Sequence, residues 1–236
     1  MSDTIAAIAT GGGVSAIGIV RVSGEFALTV ADNVFRSACG ARMLGVENRR
    51  MYYGELVRCC GAGFDSGTRS PARGTVWDMA HNTMYESRCR DAKVIDLCFC
   101  MVSRAPSSYT GEDTVEFHCH GSPVVLAEIL QILFSHGVRQ ALPGEFTKRA
   151  FLNGRLDLTQ AEAVIDLIEA ETPGAAYNAA GQLRGAIGMQ MNTIYNQLLD
   201  IIAHFHVVID YPDEDIDDFE MSEYLIVLEN IEDEFQ

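Results

Sequence analysis

The sequence predicts an α+β protein: a mixed α/β domain over residues 1–157, followed by an α-helical domain over 158–236. Short β-compatible apolar runs alternate with helical spacing up to Leu158, and helical spacing alone continues after it. Charge divides at the same place. Residues 1–158 carry 16 Lys+Arg and 16 Asp+Glu, whereas 159–236 carry 1 and 17, which accounts for the whole net charge of −16. A length of 236 residues, 48% of them hydrophobic, suits one large or two small domains with a real core.

The elements follow in order. Thr4 to Ala9, Ile17 to Val22 and Val94 to Val102 are apolar runs bounded by Gly, Pro, Ser or charge, and they read as strands. Thr114 to His120 alternates, with Val115, Phe117 and Cys119 on one face and Glu116, His118 and His120 on the other. Glu25 to Ala38 and Ser122 to Ser135 have helical spacing. Arg58 to Asp91, rich in Gly, Ser, Arg and Cys, reads as an excursion off a hairpin.

The stretch "LPGEFTKRAFLNGRLDLTQAEAVIDLIEAET", Leu142 to Thr172, is basic in its first half and acidic in its second. The basic half reads as loop and functional surface of the first domain. The acidic half reads as the opening turn and outer face of the first helix of the second, where carboxylates favour the helix dipole. Thr159-x-x-Glu162 reads as the capping box of that helix, and Thr172-Pro173-Gly174 as its stop. One helix of about 50 Å is expected from Ala175 to Val208, weakened by Gly181, Gly185 and Gly188 and ended by Tyr211-Pro212 before "DEDIDD". A further amphipathic helix is expected over Ser222 to Phe235. As an incomplete bundle, this domain is expected to expose Leu198, Leu199, Ile202 and Leu225.

Composition narrows the function classes. No signal peptide is visible, and the longest apolar run, near Val124 to Phe134, is too short to span a bilayer, so no membrane role and a cytoplasmic or mitochondrial-matrix location are expected. Seven cysteines without CxxC spacing read as free thiols in a reducing compartment. The neutral first domain can still place local positive charge on RNA, while the acidic second would repel it.

Three nucleotide or metal motifs fail on inspection. A P-loop needs Gly before its Lys, and the chain's two lysines, Lys93 and Lys148, follow Ala92 and Thr147. "GGGVSAIGIVR", Gly11 to Arg21, leads into a strand rather than a helix, so a tight turn is a better reading than a dinucleotide cradle. His118-Cys119-His120 on a strand points only its two histidines one way, so no metal centre is expected. His204 and His206 lie on different helix faces and read as packing or surface residues.

Arg21 ends an apolar strand, Glu116 lies on the polar face of another, and Arg155 follows Asn153-Gly154 in a tight turn. Each alone is most often a solvated charge. A carboxylate beside two guanidiniums can also read a planar heterocycle with adjacent N–H donors, together with a ligand carboxylate. The sequence does not say that the three converge.

Four stretches in order, "DTIAAIAT" with "IGIVRVSG", "SYTGEDTVEFHCHGSPVV", "PGEFTKRAFLNGRLDLTQAEAVIDLIEA" and "IDYPDEDI", resemble the MnmE/TrmE tRNA-modification GTPases from Asp3 to Ile216. The resemblance implies an N-terminal domain like the folate-binding domain of aminomethyltransferases, which forms a homodimer and binds a one-carbon tetrahydrofolate, 5-formyl or methylene. It implies folate contacts at Arg21, Glu116 and Arg155. A helical domain carrying an inserted GTPase domain follows in the family, with GTP, magnesium and potassium bound there. With the flavoprotein GidA/MnmG, the full-length family modifies C5 of the wobble uridine of certain tRNAs.

The chain departs from this pattern. It lacks the P-loop, the other GTPase motifs and the C-terminal cysteine motif, so it is expected to be a fragment, split product or truncation without GTP turnover of its own. "GGGVSA" stands where the family has "PPGxGG", and Arg58 to Asp91 is longer than usual. The alternative reading is a non-catalytic dimerisation and partner-docking module with a degraded folate pocket.

Overall fold

The computed structural model describes residues 3–58, 75–78, 83–86, 92–210 and 221–234. The chain divides into two compact units, Met1–Leu156 and Asp157–Gln236.

Among the described residues, the first unit is built on a seven-stranded sheet with two helices packed on one face. Its strands are β1 (Ile5–Ile8), β2 (Ser15–Ser23), β3 (Phe35–Ser37), β4 (Met51–Arg58), β7 (Lys93–Ser103), β8 (Thr114–Gly121) and β9 (Arg139–Gln140). They lie in the order β3-β4-β7-β8-β2-β1-β9, antiparallel except for the parallel β1–β9 pair. Helices α1 (Ala27–Val34) and α2 (Pro123–Ser135) cover the face that carries Val20, Val22, Leu56, Cys100, Val102, Val115 and Phe117. Strand alternation selects this set, because successive side chains point to opposite faces. Phe117 is fully buried at its centre, so truncation to Ala would cost about 3–5 kcal/mol.

Cys98, Cys100 and Cys119 lie in the same core as free thiols. Burial pushes the Cys100 thiol up, and a hydrogen bond with Cys98 together with burial pushes Cys119 up, so both stay protonated and poor nucleophiles.

Several local expectations are corrected. The helix expected over Glu25 to Ala38 stops at Val34, because Phe35 turns into β3 and pairs with Leu56 of β4. The basic half of Leu142–Thr172 is not loop throughout: Glu145–Leu152 forms α3, started by Gly144 at φ 72°. Within the Arg58 to Asp91 excursion, β5 (Thr75–Asp78) and β6 (Thr83–Glu86) pair antiparallel, and residues 59–74, 79–82 and 87–91 lie outside the described residues. Arg58 pairs with Lys93 at its base, as a hairpin requires.

The second unit is helical. α4 (Leu158–Ile168) is capped by Asp157 rather than by Thr159: the Asp157 carboxylate accepts from the Gln160 N–H at 2.7 Å, and the Gln160 side chain accepts from the Asp157 N–H at 2.9 Å. The capping box is real but begins two residues earlier, since Asp157 also takes the Thr159 hydroxyl at 2.7 Å. Thr172 opens the next helix, with Pro173 at its first position.

The single long helix from Ala175 is two helices, α5 (Pro173–Leu183) and α6 (Ala186–Asp210). Gly185 at φ 84° breaks them, a conformation that a helix cannot contain. α7 spans Met221–Glu234, while Tyr211-Pro212 and "DEDIDD" lie outside the described residues. Leu199, Ile202 and Leu225 are exposed and Leu198 is half-buried. Among the described residues no helix is long and apolar enough to cross a membrane.

Candidate functional site

Strand register brings two of the three expected site residues together. Arg21 of β2 lies directly opposite Glu116 of β8, 95 positions away in sequence. Both neighbours of each residue point into the core, so this pair stands on the sheet face that α1 and α2 leave open. The Arg21 Nε donates to Glu116 Oε1 at 2.8 Å, with the two side chains 26% and 18% exposed. This is a charge-assisted bond in a half-shielded place.

The other oxygen, Glu116 Oε2, lies 3.4 Å from His118 Nε2, an atom without a hydrogen-bond partner. That separation leaves Oε2 able to accept from another donor. The two histidines expected on one face therefore diverge in role. His118 attends Glu116, whereas His120 binds Asp96 through Nδ1 at 2.7 Å and through its backbone N–H at 2.8 Å.

Two aromatic rings complete the surroundings of Arg21. Its guanidinium carbon lies 5.3 Å from the ring centre of Tyr109 and 5.6 Å from that of Phe146. Both distances suit cation–π attraction. Tyr109 belongs to the loop before β8 and Phe146 to α3, and the Tyr109 hydroxyl shares a 2.9 Å hydrogen bond with that of Thr147. Sequence reasoning missed both rings, although each lies inside a recognised motif, "SYTGEDTVEF" or "PGEFTKRAFLNGR".

Arg155 is exposed and makes no hydrogen bond or ion pair to Arg21 or Glu116. Its place is set by the turn after α3. Gly154 adopts φ 67°, and the Arg155 N–H donates to Ala150 O at 2.8 Å. Its side chain crosses Gly111, two residues beyond Tyr109: a Cβ on Gly111 would stand 3.2 Å from Arg155 Cγ and 2.9 Å from Asn153 Cβ. The Asn153 amide donates to Thr110 O at 2.7 Å, so the turn and the Tyr109 loop are joined.

A second charged cluster supports these pieces. Arg139 donates to Asp3 at 2.5 Å and in a fork to Glu145 at 2.7 and 3.1 Å. Hydrogen bonding from Arg139 holds the Asp3 and Glu145 carboxyls below their ordinary range, and Glu145 with Asp3 pushes Arg139 up.

Known proteins resemble this chain at the same places. Residues 4–155 match the family model described as "GTP-binding protein TrmE N-terminus", and residues 158–236 match "MnmE helical domain". The chain belongs to the MnmE/TrmE family. The tRNA modification GTPase MnmE of Clostridioides difficile is 40% identical over 217 residues, covering 92% of this chain and 40% of that protein. Its counterpart in Carboxydothermus hydrogenoformans is 40% identical over 218 residues, and that of Lactobacillus helveticus 42% over 215. The chain thus spans about 40% of the length of these MnmE relatives. The two matched models are the N-terminal and helical domains of the family.

Proposed function

We propose that the first unit of this chain binds a one-carbon tetrahydrofolate and forms a homodimer. In this reading it serves tRNA modification at C5 of the wobble uridine together with the GidA/MnmG flavoprotein, in the cytoplasm, with tRNA held through the complex. The observation that carries the reading is the Arg21–Glu116 pair on the open sheet face, 2.8 Å apart and flanked by two rings.

The residues suit the ligand. The paired N–H donors of a pterin edge need a fixed carboxylate, and Glu116 keeps acceptor capacity at Oε2. The anionic glutamate tail needs a cation, and the Arg155 guanidinium is exposed on the neighbouring turn. When bound, the folate supplies the one-carbon unit. Glu116 orients the ring, Arg21 fixes the carboxylate and meets ring or one-carbon oxygens, and Arg155 meets the tail.

The open face also carries Met51, Tyr53, Leu97 and Phe99, all exposed, with the Tyr53 and Phe99 rings 5.3 Å apart. Apolar residues in such a patch favour a protein partner, and we assign it to the homodimer. The rival is a docking module whose folate pocket is degraded by the altered turn "GGGVSA", Gly11 to Ala16. Titration of the 236-residue chain with 5-formyltetrahydrofolate separates the two, since the rival predicts no binding heat.

A further inference from the structure

Arg149 of α3 is a buried charged residue, with 8% of its surface exposed. Its Nη1 donates to Asp3 O and to Glu112 Oε2, both at 2.8 Å, and its Nη2 to Asp3 Oδ1 at 2.6 Å. Glu112 Oε2 also accepts from Ser23 Oγ at 2.9 Å, and Ser23 Oγ shares a 2.7 Å bond with Thr110 Oγ1.

These partners are informative because of what stands beside them. Ser23 ends β2 two residues after Arg21, and Glu112 leads into β8 four residues before Glu116. Thr110 follows Tyr109, and Arg149 lies on α3 with Phe146. The guanidinium bonds Glu112 directly, and through the Glu112 carboxylate and the Ser23 hydroxyl it reaches the end of β2 and Thr110, so α3, the loop that carries Tyr109 and the two strands of the Arg21–Glu116 pair are joined in one network. A buried ion pair is weak evidence for stability, because apolar side chains of similar volume often serve as well. What such residues do not reproduce is a fork that fixes carboxylate and backbone acceptors in direction.

We propose that Arg149 is a positioning residue, which seats the rings of Tyr109 and Phe146 over the Arg21 guanidinium and so sets how Arg21 and Glu116 meet a ligand. The part concerning ligand rests on the folate reading; the part concerning the rings does not.

The test uses the 15N-labelled 236-residue chain. The Arg21 Nε–H resonance is assigned by its loss in Arg21→Lys. In the parent chain it is shifted by the two rings and protected by Glu116. In Arg149→Met and Arg149→Lys it is expected to lose the ring shift and to exchange about tenfold faster, as for the loss of one charge-assisted bond, while core amides such as those of Val20 and Phe117 stay in place. Affinity for 5-formyltetrahydrofolate is expected to fall by a similar factor. An unchanged Arg21 signal in a folded variant, even one of lower thermal stability, overturns the proposal. If Arg149→Met does not fold, Glu112→Gln removes the charge at constant shape and decides the same way. A parent chain that does not bind folate overturns the functional reading alone, because the Arg21 signal is read without ligand.

Discussion

Substituting Gly111 by Ala perturbs the junction between the Tyr109 loop and the Arg155 turn. Gly111 has φ 77°, which costs an L-residue about 1–2 kcal/mol. The new methyl would stand 2.9 Å from Asn153 Cβ and 3.2 Å from Arg155 Cγ, closer than carbon atoms pack. Asn153 must then retreat, straining or breaking its 2.7 Å bond to Thr110 O at about a further 1 kcal/mol. The expected total is about 2–3 kcal/mol. Gly137 supplies the internal control: its φ is 83°, but a Cβ there meets nothing within 4 Å, so only the backbone cost applies. Urea unfolding of both variants measures the difference. Equal losses of stability for Gly111→Ala and Gly137→Ala would refute the packing argument, and an unmoved Arg155 in the first would refute its link to the site.

Three further outcomes are expected. Phe99→Asp combined with Tyr53→Asp puts charge on the open sheet face, and sedimentation should change from dimer to monomer; a parent chain that is already monomeric contradicts the homodimer. Asp157→Ala removes the cap of α4 and should cost about 1 kcal/mol, read as faster amide exchange at the start of α4 with the sheet unaffected. Asp3 and Glu145 have carboxyls held below the ordinary range chiefly by Arg139, so the unfolded chain binds protons that the folded chain resists. Their stabilisation is therefore complete above about pH 5, above the unfolded carboxyl range, and is lost progressively as pH falls through the lowered folded values; urea midpoints should fall less steeply with acid in the Asp3→Asn/Glu145→Gln variant than in the parent.

The strands with strict alternation were legible because burial on one face leaves a period of two, as in Val115, Phe117 and Cys119. Helix α2 was legible because its apolar run is long and Pro123 starts it. What could not be read depends on distant partners. Phe35 leaves a helical pattern to pair with Leu56, and Glu145–Leu152 becomes helical although its apolar residues are few, with Arg149 and Glu145 anchored to Asp3 and Arg139. The break at Gly185 needed the backbone to reach φ 84°, which spacing alone does not announce.

The same division holds at the site. Arg21 and Glu116 were legible as residue types on strand faces, but their pairing comes from the β2–β8 register. Tyr109, Phe146 and Arg149 were not singled out, because each owes its role to the chain brought against it. Arg155 was placed in its turn by Asn153-Gly154, and its tie to the Tyr109 loop through Gly111 is a feature of tertiary packing.

The most direct measurement is calorimetry of the 236-residue chain with 5-formyltetrahydrofolate, beside Glu116→Gln and Arg155→Ala. Glu116→Gln preserves shape but turns an amide donor toward a donor edge, so affinity should fall about ten- to a hundredfold, and Arg155→Ala should weaken binding in the same direction. Binding to the parent chain with unchanged affinity in both folded variants would contradict the assigned site, and no binding to the parent chain would contradict folate recognition itself.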